Sequence, residues 1–171
     1  MARYGTSFVS QTAVLAGVNA TTTVNGYLGA LIGGASANPK LRRMMIGCRT
    51  ASAVPIVSQQ FTIGIYPQTV RAVGTGLSNV AGNKLDPNSP ADPTGGVDFT
   101  TATTLGTSGP TLAANPTASP TFNTQANGDS PWENLEELYT GLGTANGLAF
   151  VNIGNTFQAG TFIVVSLEWE V

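Results

Sequence analysis

Apolar and polar positions alternate most regularly at the C-terminus. From Thr161 to Val171 one face reads Ile163, Val165, Leu167, Trp169 and Val171, and the other reads Phe162, Val164, Ser166, Glu168 and Glu170. A period of two marks an extended strand, whose successive side chains point to opposite faces. One face is wholly apolar and the second turns polar toward the end, which suits one strand of a two-sheet sandwich. Gly147 to Ile153 is apolar on both faces and is expected to be its partner, with Gly154-Asn155 starting the connection. Leu41 to Thr50 reads the same way, with Met44, Ile46 and Cys48 toward a core and Arg43, Met45 and Arg49 away from it. Phe61, Ile63 and Ile65 alternate with Thr62, Gly64 and Tyr66. Pro67 is expected to stop that strand or to place it at a break, and Thr69 to Val73 to form another. Thr21 to Val24, Asn25-Gly26 and Tyr27-Leu28 predict a hairpin, because Asn and Gly accept the positive φ of a type I′ turn.

Between these segments the pattern weakens. Residues 1–20 are small, polar and weakly periodic, and predict an extended N-terminal arm. From Gly74 to Pro120 the chain is dominated by Gly, Asn, Thr, Ala and Pro, and six of the ten prolines fall between Asp86 and Pro120. Residues 85–120 are therefore expected to form a long excursion lying on a neighbouring subunit, with one short strand at Val97 to Thr101. Ser130-Pro131-Trp132-Glu133 has the form of a helix start, with Ser130 as cap and Glu133 closing a capping box. Leu135 and Leu138 then share a face and Gly141 ends the short helix. Short strands separated by Gly, Pro and Asn turns predict one all-β domain over residues 1–171. The expected form is a jelly-roll-like β-sandwich with at most one short helix.

Composition changes the picture in one respect. Hydrophobic residues make up 42% of the chain, enough for a real core, but charged residues only 9%, against roughly 25% in an average soluble domain. The polar surface must be built from Thr, Ser, Asn and Gln, which lose water more readily than charges and suit a protein in permanent contact with neighbours. The charges are segregated. Arg3, Lys40, Arg42, Arg43, Arg49, Arg71 and Lys84 precede every acid, and Asp86, Asp92, Asp98, Asp129, Glu133, Glu136, Glu137, Glu168 and Glu170 follow. Either folding interleaves the two sets, or a basic edge of one subunit meets an acidic edge of another. The basic residues are too dispersed to predict a nucleic-acid footprint. No apolar stretch is long enough to predict a membrane-spanning helix.

The inventory for chemistry is thin. The chain has no histidine and one cysteine, so the Ser-His-Asp triad, the Cys-His pair and histidine or thiolate metal clusters are excluded. Gly29 to Gly34 lacks the lysine of a phosphate loop. Glu133, Glu136 and Glu137 read as the solvated face of the short helix, favoured by its dipole. Asp86, Asn88 and Asp92 superficially resemble a calcium loop, but Pro90 stands where a ligand is needed. Trp132, Tyr139 and Trp169 are the candidates for a sugar platform, Trp169 being on the apolar face of its strand. No catalytic residue, metal, cofactor or small-molecule substrate is expected.

Four segments carry a resemblance. Asn38-Pro39-Lys40-Leu41-Arg42-Arg43 opens a strand, and Lys84-Leu85-Asp86-Pro87-Asn88-Ser89-Pro90-Ala91-Asp92-Pro93 forms a loop. Ala145-Asn146-Gly147-Leu148 follows, and the last strand ends Leu167-Glu168-Trp169-Glu170. In this order they resemble small structural virion proteins, decoration or cement-like, of tailed bacteriophages and prophages. The resemblance implies a subunit that stabilises the phage head in the virion, assembled in the bacterial cytoplasm. Its partners would be copies of itself and the major capsid protein, without catalysis. The alternatives are a tail-tube, adaptor or fibre-base subunit, and a carbohydrate-binding module on the virion surface. Arg3, Tyr4, Phe8, Arg42, Arg43, Pro87, Pro90, Pro93 and Trp132 are the expected interface residues.

Overall fold

A computed structural model describes residues 1–9, 26–51, 55, 57–100, 110–125, 132–133, 138–158 and 160–171. The described residues form two antiparallel sheets and no helix. The long strands are β1 (Arg3–Val9), β2 (Tyr27–Ile32), β3 (Lys40–Thr50), β4 (Gln60–Val70), β11 (Gly147–Asn152) and β12 (Thr161–Glu170). Shorter ones are β5 (Leu77–Val80), β6 (Asn83–Lys84), β7 (Val97–Thr100), β8 (Thr111–Leu112), β9 (Thr121–Asn123) and β10 (Trp132–Glu133). The first sheet has the order β10-β3-β12-β1-β6. The second runs β5-β7-β2-β11-β4-β8, with β9 also on β4.

Setting aside β5, β6 and β7, the chain alternates between the sheets from β1 to β4, stays with β8 and β9 beside β4, and alternates again from β10 to β12. This gives β10-β3-β12-β1 facing β2-β11-β4-β8/β9, the interleaved order of a jelly roll. The segment β5–β7 extends each sheet at its β1 and β2 side. The inner faces form one core. Tyr4, Phe8, Leu41, Met44, Ile46, Ile163, Val165, Leu167 and Trp169 meet Leu28, Leu31, Phe61, Ile63, Ile65, Leu148 and Phe150. Each fully buried aliphatic or aromatic side chain here contributes roughly 1.5–3 kcal/mol. A smaller cluster of Tyr27, Ala30, Ile32, Tyr66, Ala149 and Val151 covers the other face of the second sheet. Strands β2 and β11 are thus buried on both faces, as the unbroken apolar run at Gly147 to Ile153 predicts. That run is not the partner of the C-terminal strand, because β11 pairs with β2 and β4 while β12 pairs with β1 and β3 in the other sheet.

Several expectations change. Of the segment read as an arm, residues 3–9 are a strand inside the first sheet, between β12 and β6. Alternate residues Tyr4, Thr6 and Phe8 point into the core, and the intervening polar positions hid that period. Pro67 does not end its strand, and no separate strand forms at 69–73. The strand β4 runs through Pro67, whose carbonyl accepts from Ala113 on the edge side. A missing N–H is tolerated on that side because the pairing there is already irregular. The Pro-rich stretch is not one excursion. Residues 111–123 lie along β4, with Ile63 and Ile65 donating to the Pro120 and Ala118 carbonyls, and form a broken edge strand of the chain's own sheet. The expected helix start is extended at Trp132 and Glu133, which pair with Met44 and Arg43. Leu138 and Tyr139 then run beside Leu41 and Lys40. Pairing β3's edge satisfies main-chain groups that a helix would leave open. Ser130, Leu135, Glu136, Glu137 and the hairpin arm Thr21–Asn25 lie outside the described residues, while Gly26 has the expected positive φ of 82°.

Candidate interaction surface

The outer face of the five-stranded sheet gathers the positive charge. Arg3 lies on β1, Lys40, Arg42, Arg43 and Arg49 on β3, and Lys84 on β6, so six of the seven basic residues belong to this one sheet. Five of them share its outer face, while Lys84 pairs with the inward Tyr4 and lies on the other side. Strict alternation along Leu41-Arg42-Arg43-Met44 would force one arginine into the core. A bulge solves this. Glu168 pairs with Arg43 and Trp169 with Leu41, so Arg42 is the extra residue. Both arginines therefore point outward while Leu41 and Met44 stay fully buried.

Their partners come from the next strand. Arg42 pairs with Glu170, itself nearly buried, and Arg43 lies 3.5 Å from Glu168. Glu170 is also flanked in register by Arg3 and Lys40. The Nε groups of Arg42 and Arg43 are buried without a hydrogen-bond partner. Arg49 stacks over the Phe162 ring at 5.2 Å and Lys40 over Tyr139 at 5.4 Å. Among the described residues no carboxylate lies within ion-pair distance of Arg3, Lys40, Arg49 or Lys84. Exposed ion pairs contribute little to stability, so this charge bears more on what the face attracts than on the fold.

A concavity of about 570 Å³ opens on the same face, lined by Gly5 and Ser7 of β1, Met45, Ser166, Val80 and Leu85. Its strand positions are small: the Ser7 and Ser166 hydroxyls lie 2.7 Å apart, and Gly5 has no side chain to fill the space. Leu85 projects at its rim, 50% exposed.

The expected interface residues separate into groups. Arg3, Arg42 and Arg43 lie on this face. Tyr4 and Phe8 do not: they are 0% and 3% exposed, Tyr4 stacked on Trp169 and Phe8 on Phe99. Pro87, Pro90 and Pro93 are exposed, but their loop caps its own sandwich. The Tyr4 hydroxyl donates to the Pro90 carbonyl at 3.2 Å, and Gly34 packs against the Pro93 carbonyl. Trp132 is placed by its main chain opposite Met44. Lys40 and Arg49 complete the face. Their charge is plain in the sequence, but only the register brings them together.

The other candidate groups have structural duties. Asp86 accepts from the Asn88 amide, and Asp92 accepts from the Thr94 and Gly82 amides. These carboxylates shape the loop that the calcium pattern suggested. Among the described residues no cluster of three or more Cys, Asp or Glu is arranged to hold a metal. Trp169 is buried in the core, so it belongs to no sugar platform, whereas Tyr139 is exposed. Asp98 is nearly buried, receives Arg71 through two bonds of 2.6 Å and Asn79 through one of 2.8 Å, and ties β7 to the end of β4. That hydrogen bonding raises Arg71 above the usual arginine value. Burial pushes the Cys48 thiol up to about 11, so it stays neutral at ordinary pH. Comparison of the chain with family models, with curated proteins and with solved structures returned no match.

Proposed function

We propose that the protein is a structural subunit of a phage virion, a decoration, cement or minor capsid protein that stabilises the head through contacts with its neighbours. The observation that carries this reading is the concentration of five basic residues, Arg3, Lys40, Arg42, Arg43 and Arg49, on one outer sheet face of a chain with only 9% charged residues. A fold stabilised by its core has no internal need for that concentration. A docking surface does, because complementary charge steers encounter and fixes register. The jelly-roll order supports the reading, since capsid subunits are among the proteins built on it. The fold alone assigns no function, because lectins and enzymes use the same architecture. The four short segments resembling virion proteins add to it from the sequence side.

The rival virion reading, a tail-tube, adaptor or fibre-base subunit, shares the same surface logic and differs in location. Antibodies raised against the purified chain and applied to particles from the source bacterium separate the two. Gold label on heads is the expected result. Label confined to tails would favour the rival, and particles without label would overturn the virion reading.

A further inference from the structure

The outer face of the second sheet carries one row of side chains from β4 to β5. In register it reads Tyr66, Ala149, Ala30, Asp98 and Asn79. The two alanines leave a shallow trough in the middle of the row. Residues 71–76, which connect β4 to β5 past β11, β2 and β7, run over this face. Arg71 fixes them to the end of the row: it donates from Nε and from one terminal nitrogen to the two Asp98 oxygens, each at 2.6 Å. The Asn79 side chain donates to the same carboxylate at 2.8 Å. Ala72 is 3% exposed and joins Tyr27, Ala30, Tyr66 and Ala149 in the smaller apolar cluster. Gly74 and Gly76 follow with φ of 134° and 88°, conformations open mainly to glycine. A concavity of about 310 Å³ lies beside this connection, lined by Val73, Gly74, Leu77 and the Arg71–Asp98 pair. In the same cluster the Tyr27 hydroxyl is buried with no hydrogen-bond partner among the described residues.

We infer that residues 71–76 form a strap latched by the Arg71–Asp98 pair, able to open as a unit while the two sheets stay folded. Opening gives up one small buried side chain, Ala72, and takes nothing from the main core, whose cluster draws no residue from 71–76. An opening that exposes so little apolar surface costs less than global unfolding. Gly74 and Gly76 supply a hinge at the β5 end. Two opposed effects set the balance. The ion pair, its carboxylate nearly buried and held by three hydrogen bonds, favours the closed strap. The orphaned Tyr27 hydroxyl favours the open one, because a buried donor without a partner regains water when the cover lifts. What opening uncovers is the small-residue trough at Ala30 and Ala149, on the face turned away from the main core. The basic face belongs to the other sheet, so the inference does not rest on the virion reading.

Trypsin reads the strap directly, because the bond after Arg71 lies within it. When opening and closing are fast relative to cleavage, the cleavage rate follows the open population. The test uses the full chain under native conditions, with fragments identified by mass. Asp98→Asn keeps the side-chain shape but breaks the paired geometry, and should speed cleavage after Arg71 by about tenfold. Cleavage after Lys84, an exposed site outside the strap, should stay unchanged. Asn79→Ala removes one bond to the carboxylate at an exposed position and should act in the same direction more weakly, which keeps the test decisive if Asp98→Asn does not fold. Tyr27→Phe removes the orphaned hydroxyl and should slow cleavage after Arg71. The inference is overturned if the latch variants leave cleavage after Arg71 unchanged. It is equally overturned if that cleavage rises only in step with cleavage after Lys84, as global unfolding requires, or if Tyr27→Phe does not slow it.

Discussion

Single residues in this protein are set by burial more than by partners. Cys48 is half sheltered on β3, and burial alone lifts its thiol to about 11 from the usual 9.0. The folded state therefore holds its proton more tightly than the unfolded chain. That contribution to stability is complete below pH 9 and is lost as pH rises from about 9 to 11. Tyr27 acts in the same direction: burial, and secondarily Asp98, raise its hydroxyl well above the ordinary tyrosine value against a smaller opposing effect of Arg71. Alkylation of Cys48 by iodoacetamide should be slow at pH 8 and accelerate only near pH 11, with the urea midpoint falling over the same range. An alkylation rate at pH 8 matching that of a free thiol would contradict this account. Asp98→Ala removes three hydrogen bonds from a nearly buried carboxylate. Arg71 is one-third exposed and regains water, so the expected loss is about 1.5–3 kcal/mol, read by urea denaturation.

At the scale of elements the decisive device is the bulge at Arg42. Without it, Leu41 and Met44 could not both face the core while the two arginines face out. Deleting Arg42 leaves Leu41-Arg43-Met44, which alternates regularly. This variant should fold with an unchanged spectrum and lose about 1–3 kcal/mol, because Glu170 gives up its partner. Deleting Met45 instead puts Met44 and Ile46 on opposite faces and should leave no folded protein. If both deletions behave alike by circular dichroism and urea titration, the assigned register is wrong. The strands that sequence reading placed well, β3, β4, β11 and β12, bury one face or both. Their apolar period survives because each residue's environment is set by the sheet it belongs to. The bulge is not legible because it breaks that period by one residue. Residues 3–9 show the period too weakly, because Arg3, Gly5 and Ser7 surround an inward face of only Tyr4, Thr6 and Phe8. The short helix follows only from local capping chemistry at Ser130 and Glu133. At Trp132 and Glu133 the open edge of β3, a partner some ninety residues away in sequence, decides the conformation instead.

At the scale of the whole molecule, a jelly roll converts charge segregation along the chain into charge segregation in space. The early strands β1 and β3 carry the basic residues, and β12 returns from the acidic half to lie between them. Arg42 and Arg43 are thereby balanced by Glu170 and Glu168, while Arg3, Lys40, Arg49 and Lys84 have no carboxylate among the described residues. The sequence contained every one of these charges. What it lacked was the strand order, which depends on contacts between residues more than a hundred positions apart. The chain has two lysines, Lys40 and Lys84, and both belong to the five-stranded sheet. Acylation of these lysines, compared between particles isolated from the source bacterium and the purified chain, tests the docking role of this face most directly. The account predicts that the chain is recovered from particles with Lys40, which lies on the outer face opposite Glu170, strongly shielded. Absence of the chain from particles, or equal reactivity of Lys40 in both states, would contradict it.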